Sequence, residues 1–283
     1  MTNAAPATPA VPHPSVEEHW TGSGFRARTL RARSEAVARV IRAMRERYGE
    51  PLTLESLARV AHCSPFHFNR VFHEVTGASP GQYLAAVRLE AAKRLLLTTG
   101  LPVTAVCLEV GYESVGTFTT LFTRYVGVPP HRLRRLAREA PPLLGALPTP
   151  AAPRGGGTPA AGGQLRVDAP EGFAGAVFAA LFSAPIPRGR PLACAAAAGP
   201  GVLEFAHVPD GRCYAFAVGM EGGADPVELL LCARSPRGSA GPLTALGGAL
   251  QGGTIALREP GPADPPLLVV LPCLLAERLA AGA

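Results

Sequence analysis

Asn69 and Arg70 sit side by side in the run SPFHFNRVF, residues 64–72, and carry the two side chains best shaped to read base edges. A guanidinium can bond bidentately to guanine and a carboxamide to adenine, each giving roughly 1–3 kcal/mol of discrimination. Arg70 can equally rest on a phosphate, which positions a protein without reading sequence. Ser64 followed by Pro65 is a helix start: the hydroxyl accepts a first-turn N–H, and proline suits the first position. A helix begun there turns Phe68 and Phe72 to one side and Phe66, His67, Asn69, Arg70 and His73 to the other. Its N-terminal amides and positive dipole end favour phosphate, which makes Ser64 a candidate backbone contact.

The elements that position these residues occur twice. LESLARVAHCSPFHFNRVFHEVTG (54–77) and VTAVCLEVGYESVGTFTTLFTRYVG (103–127) each read as a short apolar-periodic helix, a turn ending in serine, and a longer helix with aromatics at i and i+4. The second copy has Ser114, Phe118 and Phe122, and closes on Gly127 as the first closes on Gly77. Each copy reads as a helix-turn-helix, which offers its second helix to the DNA major groove. Ahead of them, Val37, Val40, Ile41 and Met44 mark a helix beginning at Ser34. Thr53 is an N-cap whose capping box is incomplete, with Ser56 where Glu or Gln is usual. Between the copies, Pro80–Leu97 predicts a long helix acting as a rigid spacer, and Pro129-Pro130 opens a last helix carrying Arg132, Arg134 and Arg135.

The chain has 283 residues, 47% hydrophobic and 17% charged, with room for two domains. Its net charge of +6 is unevenly spread: residues 26–138 carry 18 Lys and Arg against 8 Asp and Glu, and the remainder carries 9 against 13. Only the first half is therefore expected to meet a polyanion. The longest apolar run, about ten residues from Leu267, is far short of the roughly 20 that cross a bilayer. The polar, Pro/Ala-rich start holds no secretory signal. These features predict a cytoplasmic chain with no membrane partner and free thiols at Cys63, Cys107, Cys194, Cys213, Cys232 and Cys273. Such cysteines serve as small hydrophobes or, alternatively, as a redox sensor.

The expected organisation is a disordered segment (1–33), a seven-helix all-α domain (34–138), an Ala/Pro/Gly linker (139–163) and a β-rich domain (164–283). In the last part, short apolar runs such as GAVFAALF, RCYAFAVGM, ELLLCAR and LLVVLP recur between Gly/Pro turns, the pattern of an all-β sandwich. Its chemistry is thin. His207 and Cys213 flank one turn, which suits either a Cys/His pair or an ordinary strand end. The spacings of Cys194, Cys213 and Cys232 around His207 match no zinc pattern. Arg188 and Arg190 can hold an acidic ligand or simply be solvated. No catalytic, cofactor or metal residue is assigned.

Residues 35–137 resemble the DNA-binding domain of the AraC/XylS family of bacterial transcription regulators. The resemblance runs through PLTLESLARVAHCSPFHFNRVF, TGASPGQYLAAVRLEAAKRLL and VGYESVGTFTTLFTRYVGVPPHRLRR. It implies seven helices, with two reading helices entering successive major grooves of double-stranded DNA. Base-reading positions then fall on Phe66, Asn69 and Arg70, beside His67, and on Val115, Gly116, Thr119 and Thr120. The second set departs from the family, which often has arginine where Thr120 stands. Its small side chains can touch a thymine methyl or donate a hydroxyl, so the first unit is expected to dominate specificity. Ser114, Arg124, His131 and Arg132 are the backbone candidates; for the last three a solvated surface stays open.

The family's sensing domain usually precedes the DNA-binding domain; here the second domain follows. Its VPDG-x-Y-like turn, Val208–Tyr214, resembles a transthyretin-like or carboxypeptidase-regulatory-like sandwich. That implies a sensing or dimerising module, with RNA polymerase, a small ligand and a second copy as further partners. Two other functions remain open: a DNA-tethered enzyme with a C-terminal cysteine nucleophile, and an architectural binder of low specificity.

Overall fold

The computed structural model describes residues 22–145, 162–221, 226–261 and 264–270. It contains a helical domain followed by a β-rich one. Most of the expected linker and of the disordered segment lies outside the described residues.

The helical domain is α1 (Gly22–Glu46), α2 (Leu54–Val60), α3 (Pro65–Thr76), α4 (Pro80–Thr98), α5 (Val103–Glu109), α6 (Val115–Val126) and α7 (Pro130–Gly145). Two ends differ from expectation. Helix α1 starts at Gly22 rather than Ser34, since no glycine or proline interrupts Phe25–Arg47. Helix α7 runs on through Pro141 and Pro142 into the expected linker. The box at Thr53 is complete after all: Ser56 N–H donates to Thr53 Oγ1 (3.2 Å) and Thr53 N–H donates to Ser56 Oγ (3.0 Å). Serine reaches back as Glu or Gln would.

Both reading helices, α3 and α6, begin on a serine cap and end on a left-handed glycine, Gly77 (φ 69°) and Gly127 (φ 93°). A positive φ there costs glycine nothing and ends the helix cleanly. Their inner aromatics pack edge-on or tilted: Phe68–Phe72 at 5.4 Å, Phe72–Tyr83 at 5.5 Å, Tyr112–Phe118 and Phe118–Phe122 at 5.6 Å. Helix α4 is buried on more than one face, with Tyr83, Ala86, Leu89, Ala92, Lys93 and Leu96 all enclosed. Its Arg88 donates to the Tyr48 and Glu50 carbonyls (both 2.8 Å) and stacks over Tyr112, so one guanidinium ties the α1–α2 turn to the second unit. Arg134 donates to the Leu96 and Leu101 carbonyls and locks α7 to the end of α4.

The β domain has two sheets. One joins β4 (Gly201–Glu204), β1 (Gln164–Asp168) and β8 (Thr254–Ala256) in that order. The other joins β3 (Ala193–Ala197), β2 (Gly175–Phe182), β5 (Gly211–Glu221), β6 (Arg237–Leu246) and β7 (Ala249–Leu250). All pairs are antiparallel except β1 with β8. Val177, Ala179 and Leu181 face the smaller sheet's Leu165, Val167, Leu203 and Ile255. Phe178, Phe182, Phe216, Val218 and Met220 form the opposite face with Cys232, Leu267 and Val269. A sheet covered on both faces explains why β2 and β5 read as unbroken apolar runs.

Two expectations about strands are corrected, and one strand has no counterpart among the expected runs. ELLLCAR forms α8 (Pro226–Leu231), which packs against α4 and α7. LLVVLP makes no strand within its described part. β6, RGSAGPLTAL, is built largely of small residues that give no apolar alternation in the sequence.

Residues 264–270 form an extended strap between the domains. Leu267 and Val269 belong to the β domain's second apolar cluster, whereas Leu268 and Val270 belong to the helical core. This is the two-residue alternation of an extended chain, with a different domain on each side. Tyr83 Oη and Arg45 Nη2 donate to the Asp264 carbonyl (3.0 and 2.9 Å), and Lys93 Nζ donates to the Leu267 carbonyl (3.3 Å). The Leu267 N–H donates to Glu90 (3.2 Å).

Candidate nucleic-acid interface

Burial of Phe68 and Phe72 fixes what α3 shows to solvent. Phe66 is 83% exposed, Asn69, Arg70 and His73 are exposed, and His67 is half-buried. The side chain of Arg70 is held within its own helix. Nη1 donates to Glu74 (3.0 Å), one turn on, and Nη2 lies 3.3 Å from His67 Nδ1. Glu74 also accepts from Arg33 of α1 at 3.2 Å. Sequence reasoning passed over Glu74, although the i, i+4 Arg–Glu spacing was visible.

On α6, Val115, Gly116 and Thr120 are exposed, and Thr119 is half-buried with its carbonyl accepting from Thr123 Oγ1 (2.8 Å). The second unit therefore presents only small or apolar groups along its N-terminal half. The serine hydroxyls are engaged as caps, Ser64 Oγ accepting from His67 N–H (3.4 Å) and Ser114 Oγ from Thr117 N–H (3.3 Å). Any phosphate they approach would meet the remaining free first-turn amides. Arg124 and His131 are exposed, whereas Arg132 is half-buried.

The β domain touches the far ends of both reading helices. Pro185 lies where a side chain on Gly77, at the end of α3, would project. At the end of α6, Gly189 N–H donates to the Tyr125 carbonyl (2.7 Å). Arg188 donates to the Tyr125 hydroxyl (3.1 Å) and stacks over its ring. Arg188 thus serves as a domain contact, a role neither considered alternative supplied. The N-terminal halves of α3 and α6 stay exposed with the β domain in place, so the candidate interface is open.

Four of the described cysteines are shifted away from nucleophilic reactivity. Burial raises the thiols of Cys63, Cys107 and Cys213, and pushes Cys232 up to about 11. A reactive cysteine needs the opposite shift. Cys213 lies inside the sandwich core while His207 is exposed, so the structure does not bring the two together as a pair. Among the described residues no group of three or more His, Cys, Asp or Glu could hold a metal ion, and no helix is long and apolar enough to cross a membrane. Cys273 lies outside the described residues.

Residues 57–136 match the helix-turn-helix domain family. The chain is 34% identical over 105 residues to the bifunctional transcriptional activator/DNA repair enzyme AdaA of Bacillus subtilis, a stretch that is 37% of this chain and 50% of that protein. It is 33% identical over 84 residues to the multiple antibiotic resistance protein MarA of Salmonella typhimurium, covering 30% of this chain and 66% of MarA. Among solved structures, the DNA-binding domain of the global transcriptional factor AdpA in complex with a target DNA is 32% identical. It covers 38% of this chain and 96% of that one, with a TM-score of 0.36. The chain thus spans about half the length of AdaA and 66% of MarA.

Proposed function

We propose, from the premise that residues 35–137 form an AraC-type DNA-binding domain, that this protein is a transcription regulator which reads sequence chiefly through its first helix-turn-helix unit. The observation that carries this is the asymmetry of the exposed faces. Helix α3 presents Phe66, Asn69 and Arg70 beside His67, while α6 presents Val115, Gly116, Thr119 and Thr120. The second unit then positions the protein on the backbone, with Ser114, Arg124, His131 and Arg132 beside the phosphates, and Ser64 does the same for the first. Releasing Arg70 from Glu74 costs little, because an exposed ion pair is worth about 0.2–1 kcal/mol. A bidentate guanine contact returns roughly 1–3 kcal/mol.

The β domain is proposed as a sensing or dimerising module. RNA polymerase, a small ligand and a second copy are its proposed partners, in the cytoplasm. Catalysis is not part of the proposal; the raised thiols of Cys63, Cys107, Cys213 and Cys232 speak against a nucleophile at those four positions. Arg70→Ala should weaken binding to the preferred site by about 1–3 kcal/mol and relax preference at one base pair. Arg124→Ala should weaken all sequences alike and lower the salt slope by about one. Selection from a random-sequence DNA pool with each variant decides it: unchanged base preferences for Arg70→Ala would remove the assignment of α3.

A further inference from the structure

We propose that a cleft of about 480 Å³, formed where α1 and the end of α3 meet β5 and β6, binds an uncharged aromatic molecule. The proposal rests on the reading of residues 164–283 as a sensing module and supplies its site and ligand class. Both domains build the walls. Val37, Ala38 and Ile41 of α1, with Val75 near the end of α3, give the helical side an aliphatic lining. The β domain and the strap contribute five rings: Tyr214 and Phe216 of β5, and Pro185, Pro242 and Pro265.

An irregularity in the sheet shapes the β side. Cys213 pairs with Leu243 and Ala215 with Ala240, so Gly241 and Pro242 together stand against Tyr214 alone. Such a bulge bends its strand and re-aims the residues beside it, and bulges gather next to functional sites. Here Tyr214, Gly241 and Pro242 all line the cleft. Tyr214 and Phe216, two apart on one strand, share a face of β5. Tyr214 is half-buried, packed against the apolar cluster that holds Phe216.

The charge of the guest follows from Glu74, the one charged side chain lining the cleft among the described residues. One of its oxygens accepts from Arg33 (3.2 Å) and the other from Arg70 (3.0 Å), so Glu74 needs no further cation. No cationic side chain lines the cleft among the described residues, so an anion would enter unpaired and lose its hydration without return. An uncharged guest escapes both penalties. The hydroxyls of Ser34, Tyr214 and Ser239 can orient it without demanding charge. Its rings gain offset-stacked or edge-on contacts with Tyr214 and Phe216. The volume lies within the roughly 300–1,000 Å³ of ordinary ligand pockets, which gather at domain boundaries. Glu74 also holds Arg70, so a guest here adjoins the residue that presents Arg70 to DNA.

The test is fluorescence titration of the full chain, without DNA, with N-phenyl-1-naphthylamine, an uncharged aromatic probe whose emission rises in apolar surroundings. Its sulfonated analogue, anilinonaphthalene sulfonate, is titrated beside it. Saturable binding of one uncharged probe per chain is expected, with the sulfonate bound at least about tenfold more weakly. Ser34→Trp on α1 and Ser239→Trp on β6, both exposed positions, place an indole in the cleft from either wall. Each should weaken the uncharged probe at least about tenfold. Thr254→Trp, exposed on β8 and outside the cleft, should not. If Ser239→Trp does not fold, Ser34→Trp carries the test. Absence of saturable binding, equal binding of the sulfonate, or equal weakening by Thr254→Trp overturns the site. Probe binding that falls as chain concentration rises would assign the cleft to a second copy and also overturns it. DNA affinity measured with and without the probe keeps the readings apart. A bound probe that leaves DNA affinity unchanged supports the cleft and removes the sensing reading. DNA bound by a chain that binds no probe removes the cleft alone.

Discussion

Glu74 sets how Arg70 is presented. It holds the guanidinium along α3 and draws in Arg33 from α1, so that a carboxylate stands within reach of any phosphate approaching that face. Glu74→Gln should therefore tighten binding to DNA of any sequence, by about two- to fivefold at low salt, with the gain shrinking as salt rises. Electrophoretic mobility shift at two ionic strengths checks this; a gain that ignores salt would point to something other than charge. At this scale the sequence was informative where a residue's chemistry acts alone. The planar groups of Asn69 and Arg70, and the small side chains at Val115 and Gly116, were legible from residue type. Arg188 was not, because stacking on Tyr125 joins positions 63 apart in the chain.

Among the elements, the helices announced themselves through caps and glycines. Ser64, Ser114, Gly77 and Gly127 mark both reading helices in sequence and in structure. The β domain was harder, because its larger sheet is covered on both faces and half its pairing relies on alanine and glycine. ELLLCAR is as apolar as a strand, yet its first part folds within α8, packed against α4 and α7. The apolar run of the strap predicts one more strand, and its alternation is indeed extended, but both of its faces are occupied by side chains. Leu268, fully enclosed in the helical core, is the sharpest probe. Leu268→Ala should cost about 2–5 kcal/mol. It should lower the unfolding midpoints of the helical and β domains together, as differential scanning calorimetry would show. A loss confined to the helical transition would mean that the strap does not couple them.

The whole molecule couples its halves through the Asp264 carbonyl as well as through packing, and the carboxylate of the same residue holds that backbone in place within the β domain. Burial works against the charged form of Asp264, but hydrogen bonds from Arg258 and Gly261 outweigh it and hold the carboxyl below its usual range. A lowered native value means the contribution is complete above the unfolded value, about 3.9, and is lost as pH falls through the lower native one. Hydrogen-exchange protection at the Asp264 and Leu267 amides should stay level from pH 7 to about 4 and decline below it. A decline already visible near pH 6 would implicate another group. The charge asymmetry between the halves was readable from composition, whereas their docking was not, since no local pattern marks a tail that returns to the first domain.

That return has a temporal side. The reading helices leave the ribosome before residue 138, but the segment that closes the opposite flank emerges only after residue 264. At about 5–20 residues per second, roughly ten seconds separate the two events. During that interval the nascent chain shows the exposed faces of α3 and α6 while Tyr83 and Lys93 await the strap carbonyls to which they donate. A message truncated before codon 264 would leave that flank permanently bare, a patch that chaperones and proteases recognise.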